Sequence, residues 1–68
     1  MKITYFPDTD TLNVEFTDGI VDDTKDLDED TIAEYDANGK LVSMIIEHAS
    51  KRVDLSSFSY SSGTAIAA

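Results

Sequence analysis

Short segments in which apolar and polar residues alternate constrain the fold of this chain most strongly. The clearest is residues 12–17, where Leu12, Val14 and Phe16 alternate with polar side chains. A period of two places alternate side chains on opposite faces of a β-strand, so we predict a half-buried strand here. A second alternating segment, residues 2–6, precedes it across the turn-forming sequence Pro-Asp-Thr-Asp. The two segments predict an antiparallel hairpin with one wet face.

A second hairpin is predicted around the Asn-Gly pair at residues 38–39, because both residue types tolerate a positive φ. Residues 41–46, which follow it, are apolar on both faces, as is typical of a central strand covered on both sides. Residues 30–35, which precede it, also fit a short helix, since Thr31 and Glu34 have the spacing of a capping box. We favour a strand there, because the apolar residues are too sparse to give a helix a buried stripe.

The alternation ends after Glu47. Residues 49–55 fit a short helix, a short strand or an irregular packed segment. We predict a single domain over residues 1–55 and a Ser-rich, partly disordered tail over residues 56–68. The predicted fold class is therefore α+β: a small four-stranded antiparallel sheet of two hairpins, with a short C-terminal helix or irregular segment on one face.

One face of this sheet is predicted to form the core. Its residues are Ile3, Tyr5, Leu12, Val14, Phe16, Ile32, Val42, Met44 and Ile46. On the opposite face, Leu41, Ile45 and Tyr35 are predicted to form a second apolar strip. Exposing such an apolar strip to solvent is unfavourable on so small a domain. We therefore expect a homodimer or another protein partner to cover it.

The charge of the chain is concentrated in its first half. Acids outnumber bases 14 to 5 over the 68 residues, for a net charge of -9, and twelve of the acids lie within residues 1–36. The densest run holds six carboxylates: Asp22, Asp23, Asp26, Asp28, Glu29 and Asp30. Because these groups repel one another they cannot all be buried, so we predict a solvated loop. A chain this acidic repels nucleic acid and anionic membranes, which leaves a basic protein as the plausible charged partner. These six acids, with Leu41 and Ile45, are the candidate partner-binding residues.

Catalytic and metal-binding signals are weak. The segment that begins at Asp8 departs from a calcium-binding loop, because Leu12 stands where the third ligand belongs and Asn13 where the glycine belongs. We predict no metal, no cofactor and no assigned catalytic residue. The single histidine, His48, follows the apolar face of residues 42–46. It fits either a strand-end histidine satisfied by backbone or solvent, or a general base beside a carboxylate in a pocket.

Composition also bears on location. The chain has no cysteine, which excludes a disulfide scaffold, and no apolar run approaches the 18 or so residues of a membrane span. No long apolar stretch follows Met1, so we expect no signal peptide and a cytoplasmic protein.

Three segments carry a family resemblance: MKITY with DTDTL in residues 1–12, IAEYDANGKLV in residues 32–42, and IEHASKR in residues 46–52. In this order and spacing they resemble the YuzE-like family, the domain of unknown function 2283. The resemblance implies a small bacterial or archaeal protein with two hairpins, a short C-terminal helix and no known activity. It also implies an antitoxin-like role, because some relatives are encoded beside toxin-like proteins. Met44-Ile45 and the Ser-rich tail depart from the family's usual sequence.

Two functional hypotheses follow. The first is a non-enzymatic protein-binding module whose acidic first half engages a basic protein partner. The second is an enzyme of unrecognised type that uses His48 with a nearby carboxylate, which requires a pocket at His48.

Overall fold

The computed structural model describes residues 1–63; the last five residues lie outside the described part. Its five strands form one antiparallel sheet. They are β1 (Lys2–Phe6), β2 (Thr11–Glu15), β3 (Asp23–Asp28), β4 (Thr31–Tyr35) and β5 (Leu41–Ile46). The spatial order is β1-β2-β5-β4-β3, so β1 and β3 are the two edges. A single 3-10 turn, Ala49–Lys51, follows β5.

The predicted four-stranded α+β fold is wrong, because the sheet has five strands and the described chain is nearly all β. The 3-10 turn Ala49–Lys51 is the only helical element within residues 1–63. Beyond it, the Asp54 carboxylate accepts a hydrogen bond from the Ser56 backbone N–H at 2.9 Å. Local bonds of this kind compete with helix formation, which explains why the expected helix is absent there. The predicted boundary at residue 55 stays a prediction, and its tail runs beyond the described residues.

The fifth strand, β3, lies in the acidic run that we predicted to be a loop. All six of its residues are exposed, and it pairs only with β4. An edge strand whose side chains stay in water needs no apolar alternation. Charged residues at such an edge discourage pairing with further copies of the same edge. A strand of this kind therefore leaves no signal in the hydrophobic pattern.

Both predicted hairpins are confirmed. β1 pairs with β2, residues 31–35 form strand β4 rather than a helix, and β5 lies at the centre of the sheet. The Asn-Gly turn differs in detail, because only Gly39 has a positive φ, at 80°. The Gly39 N–H donates to the Asp36 carbonyl at 3.0 Å, and the Asp36 N–H donates to Lys40 at 2.9 Å. The connection is thus a three-residue loop that ends in a left-handed glycine.

The apolar face of the sheet is only partly covered. The register aligns Ile3, Val14, Met44 and Ala33 in one row across four strands. Side chains opposite one another in a sheet share a face, so this row lies on the predicted core face. The fully buried apolar residues are Ala33, Val42 and Ala49.

The predicted core is therefore only partly right. Val42 is 4% exposed, but Ile3 and Tyr5 are 39% and 37% exposed, so these two do not belong to the core. The remaining predicted members are half-buried: Leu12, Val14, Phe16, Ile32, Met44 and Ile46. The reason is that, within residues 1–63, no second sheet packs against this one. The segment from Val53 to Phe58 lines a shallow groove over β1 and β2 on this face.

Ile32 was assigned to the wrong face. It pairs with Ile45, whereas its neighbour Ala33 pairs with Met44 on the core face. On the Ile45 face, the next position of β5 is Ser43, whose hydroxyl donates to the Glu34 carboxylate at 2.6 Å. Beyond Ser43 the register shifts and Leu41 pairs with Tyr35, so Leu41 does not continue the Ile45 face. The predicted apolar strip is therefore interrupted by a polar pair.

Tyr35 does not extend that strip. The Lys25 ammonium lies 5.4 Å from the centroid of the Tyr35 ring. Because Lys25 is the register partner of Ala33, this cation–π contact lies on the core face. Leu41 and Ile45 are themselves half-buried within the single chain.

Candidate functional site

The outer edge of the sheet at β3 is the most strongly charged part of the structure. We call Asp22–Glu29 the acidic edge: strand β3 with one acid on each side of it. Every residue of this segment is exposed, and within residues 1–63 β3 has β4 as its only strand neighbour. The outward-facing backbone groups of such a strand have no ladder partner, so they are available to pair with an added strand.

The structure divides the predicted partner-binding acids into two groups. The first group makes no side-chain hydrogen bond or ion pair to any residue of the described chain. Its members are Asp22, Asp23, Asp26 and Glu29. Asp23 pairs with Tyr35 and Asp26 with Ile32, so these two carboxylates lie on opposite faces of the edge strand. The acidic edge therefore presents negative charge on both sides of the sheet.

The second group, Asp28 and Asp30, is used within the protein. The Asp28 carboxylate accepts the Asp30 backbone N–H at 2.8 Å and lies 3.4 Å from the Arg52 guanidinium. These donors, chiefly the Asp30 N–H and then the Thr31 hydroxyl, hold the pKa of Asp28 below its ordinary value. The Arg52 guanidinium also donates to the Thr31 hydroxyl at 2.5 Å. Through Arg52, which directly follows the 3-10 turn, Asp28 holds that part of the chain against the β3–β4 turn.

Asp30 contacts the only histidine of the chain. His48 Nδ1 lies 2.9 Å from the Asp30 carboxylate, and the two side chains are 62% and 32% exposed. The Glu47 backbone N–H also donates to the Asp30 carbonyl at 2.8 Å. Both contacts join the end of β5 to the β3–β4 turn, and a pair this exposed contributes little to stability.

A second polar cluster, Tyr5, Asp10 and Ser50, lies at the same end of the sheet. The Asp10 carboxylate accepts hydrogen bonds from the Tyr5 hydroxyl at 2.7 Å and from the Ser50 hydroxyl and N–H at 2.7 and 3.0 Å. These donors, Tyr5 first, lower the pKa of Asp10, and the contact with Asp10 raises the pKa of Tyr5. An ionised Asp10 thus ties the β1–β2 turn to the 3-10 turn.

The backbone is strained where these two turns meet. Asp10 and His48 are the non-glycine residues of the described chain with positive φ, at 54° and 53°. The Asp10 carbonyl accepts the N–H of Ala49, the residue after His48, at 2.9 Å. Strained positions of this kind persist only where surrounding contacts hold them, and here the two clusters supply those contacts.

Of the residues in the polar clusters, only Tyr5 lines one of the main grooves found among residues 1–63. The main surface grooves lined by residues 1–63 lie beside β1 and the β1–β2 turn, and His48 lines none of them. The enzyme hypothesis required a carboxylate and a pocket at His48. The carboxylate is present in Asp30, but none of these main grooves within residues 1–63 reaches His48.

Sequence reasoning missed Tyr5, Asp10, Ser50 and Arg52. Asp10 and Ser50 are 40 residues apart, and no local sequence pattern predicts their contact. The one local signal is that Asp10 ends the Pro-Asp-Thr-Asp turn, a position at which aspartate tolerates a left-handed backbone.

Together, the fold and these contacts define a small single-sheet β protein with an exposed acidic edge and a polar cluster that anchors its C-terminal turn. Residues 2–50, more than two thirds of the chain, match the model of a family described as "Protein of unknown function (DUF2283)". The chain therefore belongs to this family, as the sequence resemblance predicted. Comparison with curated proteins and with solved structures gives no match. No helix of the described chain is long and apolar enough to cross a membrane.

Proposed function

We propose that this protein is a non-enzymatic binding module whose acidic edge engages a basic segment of a protein partner, as an antitoxin-like protein would. The observation that carries the proposal is that β3 is an edge strand whose six residues are all exposed. Carboxylates lie within this strand and on each side of it. Backbone pairing at such an edge provides affinity, and charge provides selectivity for a basic partner.

In this proposal the partner adds an extended segment beside β3 as a sixth strand. Side chains of an added strand alternate between the two faces, as Asp23 and Asp26 do on β3. A lysine or arginine of the added strand would therefore meet Asp23 on one face of the sheet or Asp26 on the other. Opposite charges directly across two strands stabilise the pairing, whereas acidic residues at those positions oppose it.

One face of the acidic edge continues into apolar surface. The register places Asp26, Ile32 and Ile45 side by side on β3, β4 and β5. A long basic side chain can lay its methylene stem over Ile32 while its charged head meets Asp26. Leu41 and Ile45 lie on β5, two strands inward, so they contribute less to binding than the edge itself.

The test is titration calorimetry with a synthetic Lys-rich peptide of strand length as the probe. In the double variant Asp23→Asn, Asp26→Asn we expect the dissociation constant to rise about tenfold and the salt dependence to weaken. The matched control is Asp8→Asn, Asp18→Asn, which removes two exposed carboxylates elsewhere on the chain. Equal losses in the two variants would contradict the proposal, because net charge alone would then account for binding.

The alternative of an enzyme based on His48 has one observation in its favour, the 2.9 Å contact with Asp30. A general base also needs a place for substrate within hydrogen-bond reach. Because His48 lines none of the main grooves of residues 1–63, we assign the pair to anchoring the end of β5.

A further inference from the structure

The two edges of the sheet differ sharply in chemistry. The acidic edge strand, β3, carries three aspartates and Lys25, whereas β1 carries one charge, Lys2. The other residues of β1 are β-branched or aromatic, and Ile3, Tyr5 and Phe6 are 39%, 37% and 48% exposed. An exposed apolar edge strand of this composition is a template for pairing with another chain.

We propose that β1 pairs with β1 of a second copy of this chain in antiparallel orientation. The two sheets then continue into one sheet about a two-fold axis at Thr4. This interface lies at the opposite edge from the proposed partner site and does not depend on it.

The sequence of β1 is self-complementary in this register. Ile3 lies opposite Tyr5 of the second copy, and both project from the core face of the sheet. Lys2 lies opposite Phe6 of the second copy, where its stem and ammonium can pack on the ring. Thr4 meets Thr4 on the axis. Aromatic–aliphatic and Thr–Thr pairs directly across two strands are favourable.

Charge selects a second copy as the occupant. With Lys2 placed opposite Phe6, no like charges face each other across the pair of β1 strands. A copy paired through β3 with Asp23 opposite Asp28 also sets Lys25 opposite Asp26, but the flanking Asp22 and Glu29 add further like-charge pairs, so repulsion prevails. A basic peptide, in turn, would find no carboxylate on β1.

A shallow groove beside β1 adds to the argument. It is lined by Met1, Ile3, Phe58 and Tyr60, and Met1, Phe58 and Tyr60 are 76%, 71% and 80% exposed. A second sheet continuing from β1 brings its own copy of this groove alongside. Each copy then covers apolar surface that the single chain leaves in water.

Sedimentation equilibrium of the full chain tests the proposal, with Thr4→Lys as the variant and Thr24→Lys as the matched control. Both replace an edge-strand threonine and add the same charge, but only Thr4 lies on the two-fold axis. We expect a dimer whose dissociation constant rises about fivefold in Thr4→Lys, the upper end of the cost of directly opposed like charges. Circular dichroism of each variant checks that the sheet is retained.

Cross-linking provides a second readout that does not perturb charge. The chain has no cysteine, so Thr4→Cys introduces a single thiol. Residues directly opposite in an antiparallel pair are close enough to form a disulfide with small adjustment. We expect Thr4→Cys to form disulfide dimers at least about tenfold faster than Thr24→Cys, because pairing raises the effective thiol concentration.

Three results would overturn the proposal. One is a monomer at every concentration tested, and another is equal cross-linking of the two cysteine variants. The third is a dimer whose dissociation constant is unchanged in Thr4→Lys but rises in Ile45→Glu, which would place the interface on the open face of the sheet.

Discussion

Replacing Gly39 by alanine should destabilise the protein by about 1 kcal/mol through the backbone alone. Gly39 has a φ of 80°, and a Cβ built there meets no atom within 4 Å, so the substitution causes no steric clash. A left-handed backbone costs an L-residue about 1–2 kcal/mol. The reduced entropy of the unfolded chain offsets roughly 0.4–1 kcal/mol of that cost. The difference is the expected loss.

Urea unfolding followed by circular dichroism measures this loss, and the melting temperature should fall by roughly 4–8 °C per kcal/mol for a domain of this size. Gly63→Ala is the matched control, because Gly63 also has open space around it but lies outside the left-handed region. Its stability should stay within about 0.5 kcal/mol of the parent. Gly39→Asn should retain most of the stability, since asparagine tolerates this conformation. If Gly39→Ala and Gly63→Ala unfold alike, the assignment of a left-handed glycine to this turn is refuted.

Three further predictions concern the core and the Asp10 cluster. Val42→Ala should cost about 2 kcal/mol in urea unfolding, since it removes two buried methyl-sized groups and leaves a partial cavity; a loss near zero would mean that Val42 is not packed as its 4% exposure indicates. The native pKa of Asp10 is lowered, so its contribution to stability is present above the ordinary carboxyl pKa and is lost as pH falls through the lower native value. Asp10→Asn should therefore flatten the acid side of the stability-against-pH curve, and an unchanged curve would argue against the Ser50 and Tyr5 contacts. The same variant should lower the raised pKa of Tyr5 in a spectrophotometric titration, whereas an unchanged Tyr5 midpoint would contradict the 2.7 Å hydrogen bond.

Four of the five strands could be predicted from the sequence because their signal is local. In β2, alternation marks the strand and its core face, and the doubly apolar β5 could be placed at the centre of the sheet. The Asn-Gly pair located the β4–β5 turn, although the geometry uses only Gly39 in the left-handed region. These features depend on neighbours within a few residues.

The rest of the structure depends on contacts that sequence alone does not specify. Strand β3 is held by hydrogen bonds to β4 while its side chains stay in water, so neither its composition nor its periodicity distinguishes it from a loop. The Asp10 cluster joins residues 40 positions apart. The acidic residues were found as a group, but only the structure separates Asp28 and Asp30, which hold the C-terminal turn, from the exposed members of the edge.

The two proposed interfaces have a joint consequence that neither has alone. Two chains paired through β1 leave both copies of β3 as the outermost strands, at opposite ends of the extended sheet. Under these two proposals, such a dimer would bind a partner that carries two basic segments at both ends, and the second binding event would be intramolecular. Thr4→Lys should therefore leave binding of a single Lys-rich peptide unchanged and weaken binding of two such peptides joined by a linker long enough to span the dimer. If Thr4→Lys weakens the single peptide equally, the acidic edge and β1 are not independent sites, and the assignment of separate roles to the two edges fails.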